Sequence, residues 1–413
     1  MGEARAATAG TTAECCIAGG GPAGMMLGLL LARAGVNVVV LEKHGDFLRD
    51  FRGDTIHPST LEVMAELGLL DEFLARPHQE VCEIHAQVGA ATLKVADFSH
   101  LPTRCKFVVL MPQWDFLDFL AGQARRYRNF RLEMQAEAVG LIVERDRVCG
   151  VHVKTPAGIV ELRADLTIGA DGRHSMVRDR AGLSIIDLGA PIDVLWLRVP
   201  QRPGDAKQPL GRFDAGRVLV MLDRGDYWQC AYVIPKGRFA DLQAKGFAAF
   251  REDLVRLAPS LHDRVDALAA WDDVKLLTVR VDRLRRWYRP GLLCIGDAAH
   301  AMSPIGGIGI NLAVQDAVAA ANILAAPLRR GAVTTDDLAN VQRRREWPTR
   351  ATQWAQVQIQ NRIITPVLGR AGTLPLPLRL MRRWPVLTRI PARLIGVGVR
   401  PEHVRVAEQA PGV

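Results

Sequence analysis

Four glycines and one acid near the start of the chain carry its first chemical pattern. Residues 15–43 read CCIAGGGPAGMMLGLLLARAGVNVVVLEK, so Gly19, Gly21 and Gly24 stand in G-x-G-x-x-G spacing and Gly28 follows. Gly19 permits a tight turn, and Gly21 lets the backbone approach a pyrophosphate with no Cβ in the way. Gly24 and Gly28 let a helix lie close to a sheet. The N–H groups and positive dipole end of that helix face the phosphates. Glu42 lies about 20 residues beyond the glycines, where an acceptor for ribose hydroxyls belongs.

Two later turns have related chemistry. An apolar strand over residues 162–169 runs into Ala170-Asp171-Gly172, and another over 291–296 ends in Gly296-Asp297-Ala298-Ala299-His300. The small residues after Asp297 let backbone approach a sugar-like chain while the carboxylate accepts from its hydroxyls. Gly306, Gly307 and Gly309 precede Asn311 and a long apolar helix reaching about residue 328. Its N-terminus suits an electron-rich ring edge.

The elements that must position these turns follow from periodicity. Residues 15–18 are a short apolar strand, the segment after Gly21 is an apolar helix broken at Gly35, and residues 36–41 are a β-branched strand. A helix starts at Pro58, with Ser59 or Thr60 and Glu62 as capping residues. Residues 80–98 read as two strands, 104–111 as an extended run, and 115–128 as a helix; 130–134, 138–145 and 148–154 alternate as strands. Residues 185–280 are strand-rich with one amphipathic helix at 239–257, and a charged helix near 335–360 precedes a Pro- and Arg-rich tail. No internal repeat stands out.

The chain has 413 residues, 49% hydrophobic and 23% charged, as expected of a soluble globular protein with a large core. The net charge of +9 raises the question of nucleic acid, but no basic block interleaves with aromatics in a nucleic-acid motif. Beyond residue 365 eight arginines face two acids, a net +6 (8 − 2). The seven cysteines, an odd number in no metal or disulfide spacing, fit a reducing cytosol, so a cytoplasmic location and no metal are expected. Residues 1–13 read as a disordered leader, and the apolar 15–41 run lacks the flanks of a signal peptide.

In order along the chain, the Gly19–Glu42 unit, Gly169-Ala170-Asp171-Gly172 with Arg178, and Gly296-Asp297-Ala298-Ala299-His300 through Pro304 to Asn311 resemble the FAD-dependent aromatic hydroxylases, the single-component monooxygenases typified by p-hydroxybenzoate hydroxylase. The resemblance spans roughly residues 14–330 and fades in the middle and after 365. It implies an α/β fold: a Rossmann-type FAD-binding domain (14–79, 100–184 and 281–330), an inserted mixed β-sheet substrate domain of α+β character (80–99 and 185–280), and a C-terminal helical region (331–413).

It also implies roles. Gly19, Gly21, Pro22, Ala23, Gly24, Glu42 and Lys43 would hold the dinucleotide, and Val139 would lie near the adenine. Asp297 would bind the ribityl chain, and Gly307, Gly309, Ile310 and Asn311 would cradle the pyrimidine ring. Arg52 and Gln113 match flavin contacts, Pro304 lines the face where oxygen reacts, and Asp171 serves flavin and nicotinamide; Arg52 and Pro304 are the catalytic candidates. His300 reads as a structural residue. With no second G-x-G-x-x-G, NADH or NADPH is expected as a transient co-substrate. The implied reaction inserts one atom of O2 into an electron-rich small molecule through a flavin C4a-hydroperoxide.

Met221 and Asp223 on one middle strand, and Gln229 and Ala231 on the next, are the candidate substrate contacts; each alternates with neighbours on the other face. With Met221 and Ala231 among them, a hydrophobic substrate is expected. A flavin-dependent halogenase would carry W-x-W-x-I-P where this chain has Cys230-Ala231-Tyr232-Val233-Ile234-Pro235, and a geranylgeranyl reductase-type enzyme would reduce a double bond without O2. A non-catalytic flavoprotein is the reading from outside enzymes. The tail is expected to be a helical cover with solvated arginines, in preference to a peripheral membrane contact. Monomer and homodimer are both compatible with the sequence.

Overall fold

The computed structural model describes residues 11–48, 55–88, 91–205, 210–214, 216–369 and 376–409. The chain opens with β1 (Thr11–Ala18), α1 (Pro22–Arg33) and β2 (Val38–Glu42). β1 starts four residues before Cys15, so residues 11–13 belong to a strand and not to the expected leader; they pair in parallel with Leu162, Arg163 and Ala164. β3 (Thr55–Ile56), α2 (Pro58–Glu66) and α3 (Leu70–Leu74) follow. Residues 79–97 form three strands where two were expected: β4 (Gln79–Val81), β5 (Glu83–Val88) and β6 (Ala91–Asp97).

Next come β7 (Val108–Leu110), α4 (Gln113–Ala124), β8 (Phe130–Met134), β9 (Glu137–Glu144), β10 (Arg147–Thr155), β11 (Gly158–Gly169) and α5 (Met176–Arg180). The middle region holds β12 (Ile185–Asp187), β13 (Ile192–Pro200), β14 (Leu210–Asp214), β15 (Arg217–Asp223), β16 (Tyr227–Pro235), α6 (Phe239–Ala244), α7 (Phe247–Leu257) and β17 (Lys275–Leu277). The chain closes with β18 (Asp282–Leu284), β19 (Tyr288–Arg289), β20 (Leu292–Cys294), α8 (Gly309–Arg329), α9 (Thr335–Ile359), α10 (Thr365–Gly369), α11 (Leu376–Arg383) and α12 (Arg389–Gly396).

Two large sheets carry the architecture. The first runs β19-β20-β11-β1-β2-β8, with β9 and β10 attached through β11; β20, β11, β1, β2 and β8 are mutually parallel. Its strands read as apolar runs because helices cover them: Val38, Val39, Val40 and Leu41 are all buried. α1 is apolar all round because the sheet lies on one side and α4 and α8 on the other. α8 is long and apolar enough to cross a membrane by composition, yet 83% of its apolar window is buried inside the protein, which makes it a core helix.

The second sheet runs β17-β13-β16-β15-β14-β5-β6. Its two faces are covered by different elements. On the far face Leu195, Leu219, Met221, Cys230 and Tyr232 pack against α7 through Phe250 and Leu254. On the near face Val194, Val218, Ala231 and Val233 pack with Ile305, Ile359 and Ile364. α9 begins at a capping box in which Thr334 and Asp337 satisfy each other's backbone N–H groups. α11 and α12 pack over β6 and residues 98–101.

Candidate functional site

The three glycine–acid turns fall at the same end of neighbouring strands. β1 pairs with β11 so that Ala18 faces Gly169, and β11 pairs with β20 so that Gly169 faces Cys294. The turns therefore leave the C-terminal ends of adjacent parallel strands, where the order reverses and open α/β sheets bind ligands. Gly19, at φ +112°, sits against the second turn: a Cβ there would fall 2.3 Å from the Ala170 carbonyl oxygen. The third turn closes on the first helix, since a Cβ at Gly296 would lie 3.0 Å from that of Ala23. Arg173 Nη2, from the second turn, lies 3.6 Å from Asp297 Oδ2 on the third.

The first turn has the properties a phosphate cradle needs. A Cβ on Gly24 would stand 2.0 Å from the Gly19 carbonyl oxygen, so this close approach requires glycine. A Cβ on Gly21 would meet nothing within 4 Å, leaving space directly outside the backbone. Pro22 occupies N1 of α1, and no side chain caps the helix and no acid lies in its first turn. Its N–H groups are thus left for an anion. Glu42, at the tip of β2, is buried and accepts from the Gly20 N–H at 3.2 Å and the His44 N–H at 3.0 Å. Lys43 beside it is exposed. Val139 sits half-buried in β9 at a register shift opposite His152 and Val153, and Gln113 opens α4. Arg52 lies outside the described residues.

The second turn is knitted to its own helix. Asp171 accepts from the Ser175 hydroxyl and, at 3.0 Å, from the Val177 N–H. Burial pushes its carboxyl above the ordinary range against those donors. Arg178 is buried and donates to the Arg173 carbonyl at 3.1 Å, holding Arg173 where it faces Asp297.

The third turn rests on a buried ionic network. Asp316 Oδ2 accepts from the Gly296 N–H at 3.0 Å and contacts His300 Nε2 at 2.6 Å, while Oδ1 accepts from Arg345 Nε at 2.9 Å. Arg345 continues to Glu402, which also takes a two-pronged contact from Arg344. Burial works to raise the Asp316 carboxyl, and His300 with Arg345 outweighs it and holds the group below the usual carboxylate range. His300 is enclosed beneath the turn, consistent with a structural part. Asp297 itself is a third exposed.

The loop from Pro304 to Asn311 is shaped by α2. Gly306 and Gly307 both adopt positive φ, and a Cβ on Gly307 would run into Thr55 Oγ1. His57 Nε2 lies 3.0 Å from the Gly306 carbonyl oxygen, so that nitrogen carries the proton. Burial drives the His57 pKa down to about 4, which keeps the ring neutral. Ser59 Oγ at 2.6 Å and Thr60 Oγ1 at 2.9 Å both donate to Asn311 Oδ1. These hydroxyls are not the caps expected of them: His57 occupies the N-cap position and no side chain caps α2. The signal available in the sequence was two hydroxyl residues directly after a helix-starting proline, which local rules assign to the helix itself. α8 also starts without a side-chain cap or an acid in its first turn, at Gly309 and Ile310. A Cβ on Gly309 would meet open space.

The four substrate candidates separate by face. Gln229 shares its face with Ala231, which packs in the cluster containing Ile305, one residue from Pro304. Met221 packs against α7 on the far face, and Asp223 shares that face by alternation, its Oδ1 accepting from the Gly225 N–H at 2.8 Å. The near-face residues that sequence reasoning missed are Val194, Trp196, Phe213, Val220 and Leu277. Alternation identified two faces and held no sign of which one meets the 304–311 loop. Among the described residues no group of three or more His, Cys, Asp or Glu side chains could hold a metal.

The FAD-binding-domain family matches residues 12–355. A 6-methylpretetramide 4-monooxygenase from Streptomyces rimosus is 33% identical over 407 residues, covering 98% of this chain and 97% of its own. A para-nitrophenol 4-monooxygenase from a Pseudomonas species is 27% identical, over 80% and 82% of the two chains. The fold matches that of the anhydrotetracycline hydroxylase OxyS from Streptomyces rimosus with a TM-score of 0.75 at 23% identity, covering 94% of this chain and 76% of that one.

Proposed function

This chain belongs to the FAD-dependent aromatic hydroxylases, and we propose from that premise that it hydroxylates a fused, largely apolar polycyclic phenol. As a monooxygenase it consumes substrate, O2, NAD(P)H and a proton and yields hydroxylated product, water and NAD(P)+. The observation that carries the apolar part of this reading is the near face of the second sheet, where Val194, Trp196, Val220 and Ala231 cluster with Ile305. The full-length relative named for 6-methylpretetramide supports the same class.

When bound, FAD supplies the redox chemistry, taking a hydride from the nicotinamide and activating O2. The residues fit it: two uncapped helix N-termini, open space outside Gly21 and Gly309, and a part-exposed acid at the third turn. In this reading the Gly19–Gly24 turn and α1 neutralise the pyrophosphate, and Glu42 and Lys43 lie on the ribose side. Val139 is assigned to the adenine end and Asp171 to the flavin and nicotinamide side, Asp297 accepts from ribityl hydroxyls, and the N–H groups of Gly307 to Asn311 meet the pyrimidine edge. Arg52 and Gln113 are assigned to the flavin, and Pro304 with Ile305 to the wall that keeps water from the reacting face. Gln229, whose Oε1 accepts from Arg224 Nε at 3.3 Å while its Nε2 has no partner among the described residues, is the near-face side chain assigned to orient a phenol hydroxyl.

The test is to purify the protein, record its flavin absorption, and screen polycyclic phenols for NAD(P)H oxidation matched by O2 uptake and a product one oxygen atom heavier. Reduction of a substrate double bond without O2, or halide-dependent product, would overturn the hydroxylase assignment. Asp297→Ala removes charge-assisted acceptors and is expected to weaken FAD binding by about 10- to 100-fold. Wild-type flavin content in that variant would refute the ribityl role.

A further inference from the structure

The last two helices carry on their open side residues that a simple solvated cover does not need. Their inner side is accounted for. Leu378 of α11 is buried, Ala392 and Gly396 of α12 pack near Phe98, Leu101 and Pro58, and Ile395 joins Met302, Ile308 and Leu312. Their outer side shows Leu376, Leu380 and Trp384 at i, i+4, i+8, and then Val386, Ile390 and Leu394. Six of the fourteen exposed large apolar side chains among the described residues thus fall within residues 376–394.

Arginines frame this apolar strip. Arg379, Arg382, Arg383, Arg389, Arg393 and Arg400 are all exposed, and residues 376–400 contain no acid. Among the described residues no carboxylate pairs with any of these guanidinium groups; Arg389 reaches only His100 Nε2, at 3.1 Å. In α12 Ala392 and Gly396 are buried, Ile390 and Leu394 are exposed on the opposite side, and Arg389 and Arg393 border them along one edge, one step back round the helix. Short amphipathic helices with an apolar outer strip, basic flanks and a tryptophan suit the boundary between headgroups and acyl chains.

We propose that residues 376–400 dock this enzyme on a lipid bilayer surface bearing anionic headgroups. The guanidinium forks match phosphate oxygens, and the leucines, isoleucine and Trp384 enter the interfacial layer. A second copy of the chain fits this face poorly, because a twofold contact would set six arginines against six arginines with no acid between them. Since Ile395 links α12 to residues 302–308, docking places that loop behind α12, one helix layer from the lipid surface.

Docking is measured on the full FAD-loaded chain by co-sedimentation with phosphatidylcholine vesicles, with and without phosphatidylglycerol, at low and high salt. The protein is expected to sediment only with the anionic vesicles and to be released by salt. With each basic side chain near the surface worth roughly 1 kcal/mol, Arg382→Gln with Arg383→Gln weakens partition about thirtyfold. Ile390→Ser with Leu394→Ser weakens it as well, at unchanged circular dichroism and flavin content. Absence of sedimentation at low salt overturns the proposal, as does equal binding to neutral vesicles. A concentration-dependent dimer removed by Ile390→Ser/Leu394→Ser, without vesicle binding, assigns the face to a second copy instead. Equal binding of wild type and that variant to poly-glutamate and to vesicles assigns it to an acidic protein.

Discussion

His57 shows how burial sets the behaviour of a single residue. Its ring is enclosed, with Nε2 on the Gly306 carbonyl and a pKa of about 4 against 6.5 for a free histidine. The folded chain cannot take up the proton that the unfolded chain accepts as pH falls below 6.5, so stability declines from there and levels off below about 4. The whole decline amounts to about 3 kcal/mol for this one group. His57→Gln retains a donor for Gly306 and is expected to flatten the window between pH 6.5 and 4, as read from urea unfolding at several pH values. Asp316 acts in a different range. Its folded carboxyl is held below the ordinary value, so its contribution is present at neutral pH and is lost only as pH falls through that lowered value.

At the scale of elements, α2 performs a task that helix rules do not describe. Two hydroxyls of its first turn converge on one amide oxygen, 252 and 251 residues away in sequence. Asn311 is buried, so removing both donors leaves its carbonyl without them at a cost of about 1–3 kcal/mol. Ser59→Ala with Thr60→Val is expected to lower stability by that amount and to reduce FAD affinity, because the first turn of α8 loses its anchor. Thr60→Ser keeps a hydroxyl and should restore most of the loss. Calorimetry of unfolding paired with flavin titration checks both effects. The glycine-rich loop before α1 was legible in sequence because each glycine answers a local demand. The α2–α8 contact was not, since nothing local marks a partner so distant.

At the scale of the whole molecule, the C-terminal segment locks the FAD-side turns. Glu402 anchors Arg344 and Arg345, and Arg345 holds Asp316 beneath the Gly296 turn. Arg345 and Asp316 are 1% and 0% exposed, so Arg345→Met strands a buried carboxylate and should cost about 3–5 kcal/mol. Arg345→Lys preserves the charge and should cost less; denaturant midpoints separate the two. The same scale decides what the middle strands do. Met221 and Ala231 read alike in sequence, yet one lies under α7 and the other opposite Ile305.

The order and chemistry of the three glycine–acid turns, and with them the FAD-dependent hydroxylase family, were determined by the sequence itself. Close backbone approach and phosphate contact restrict which residues can stand at each step, and those restrictions act over a few neighbouring positions. Only the tertiary structure decided that Arg173 meets Asp297, that Ser59 and Thr60 serve Asn311, and which face of the second sheet turns to the loop. A strand's alternation defines two faces but not what covers each, and that choice is made by α7 packing on one side and by Ile305 and the end of α9 on the other.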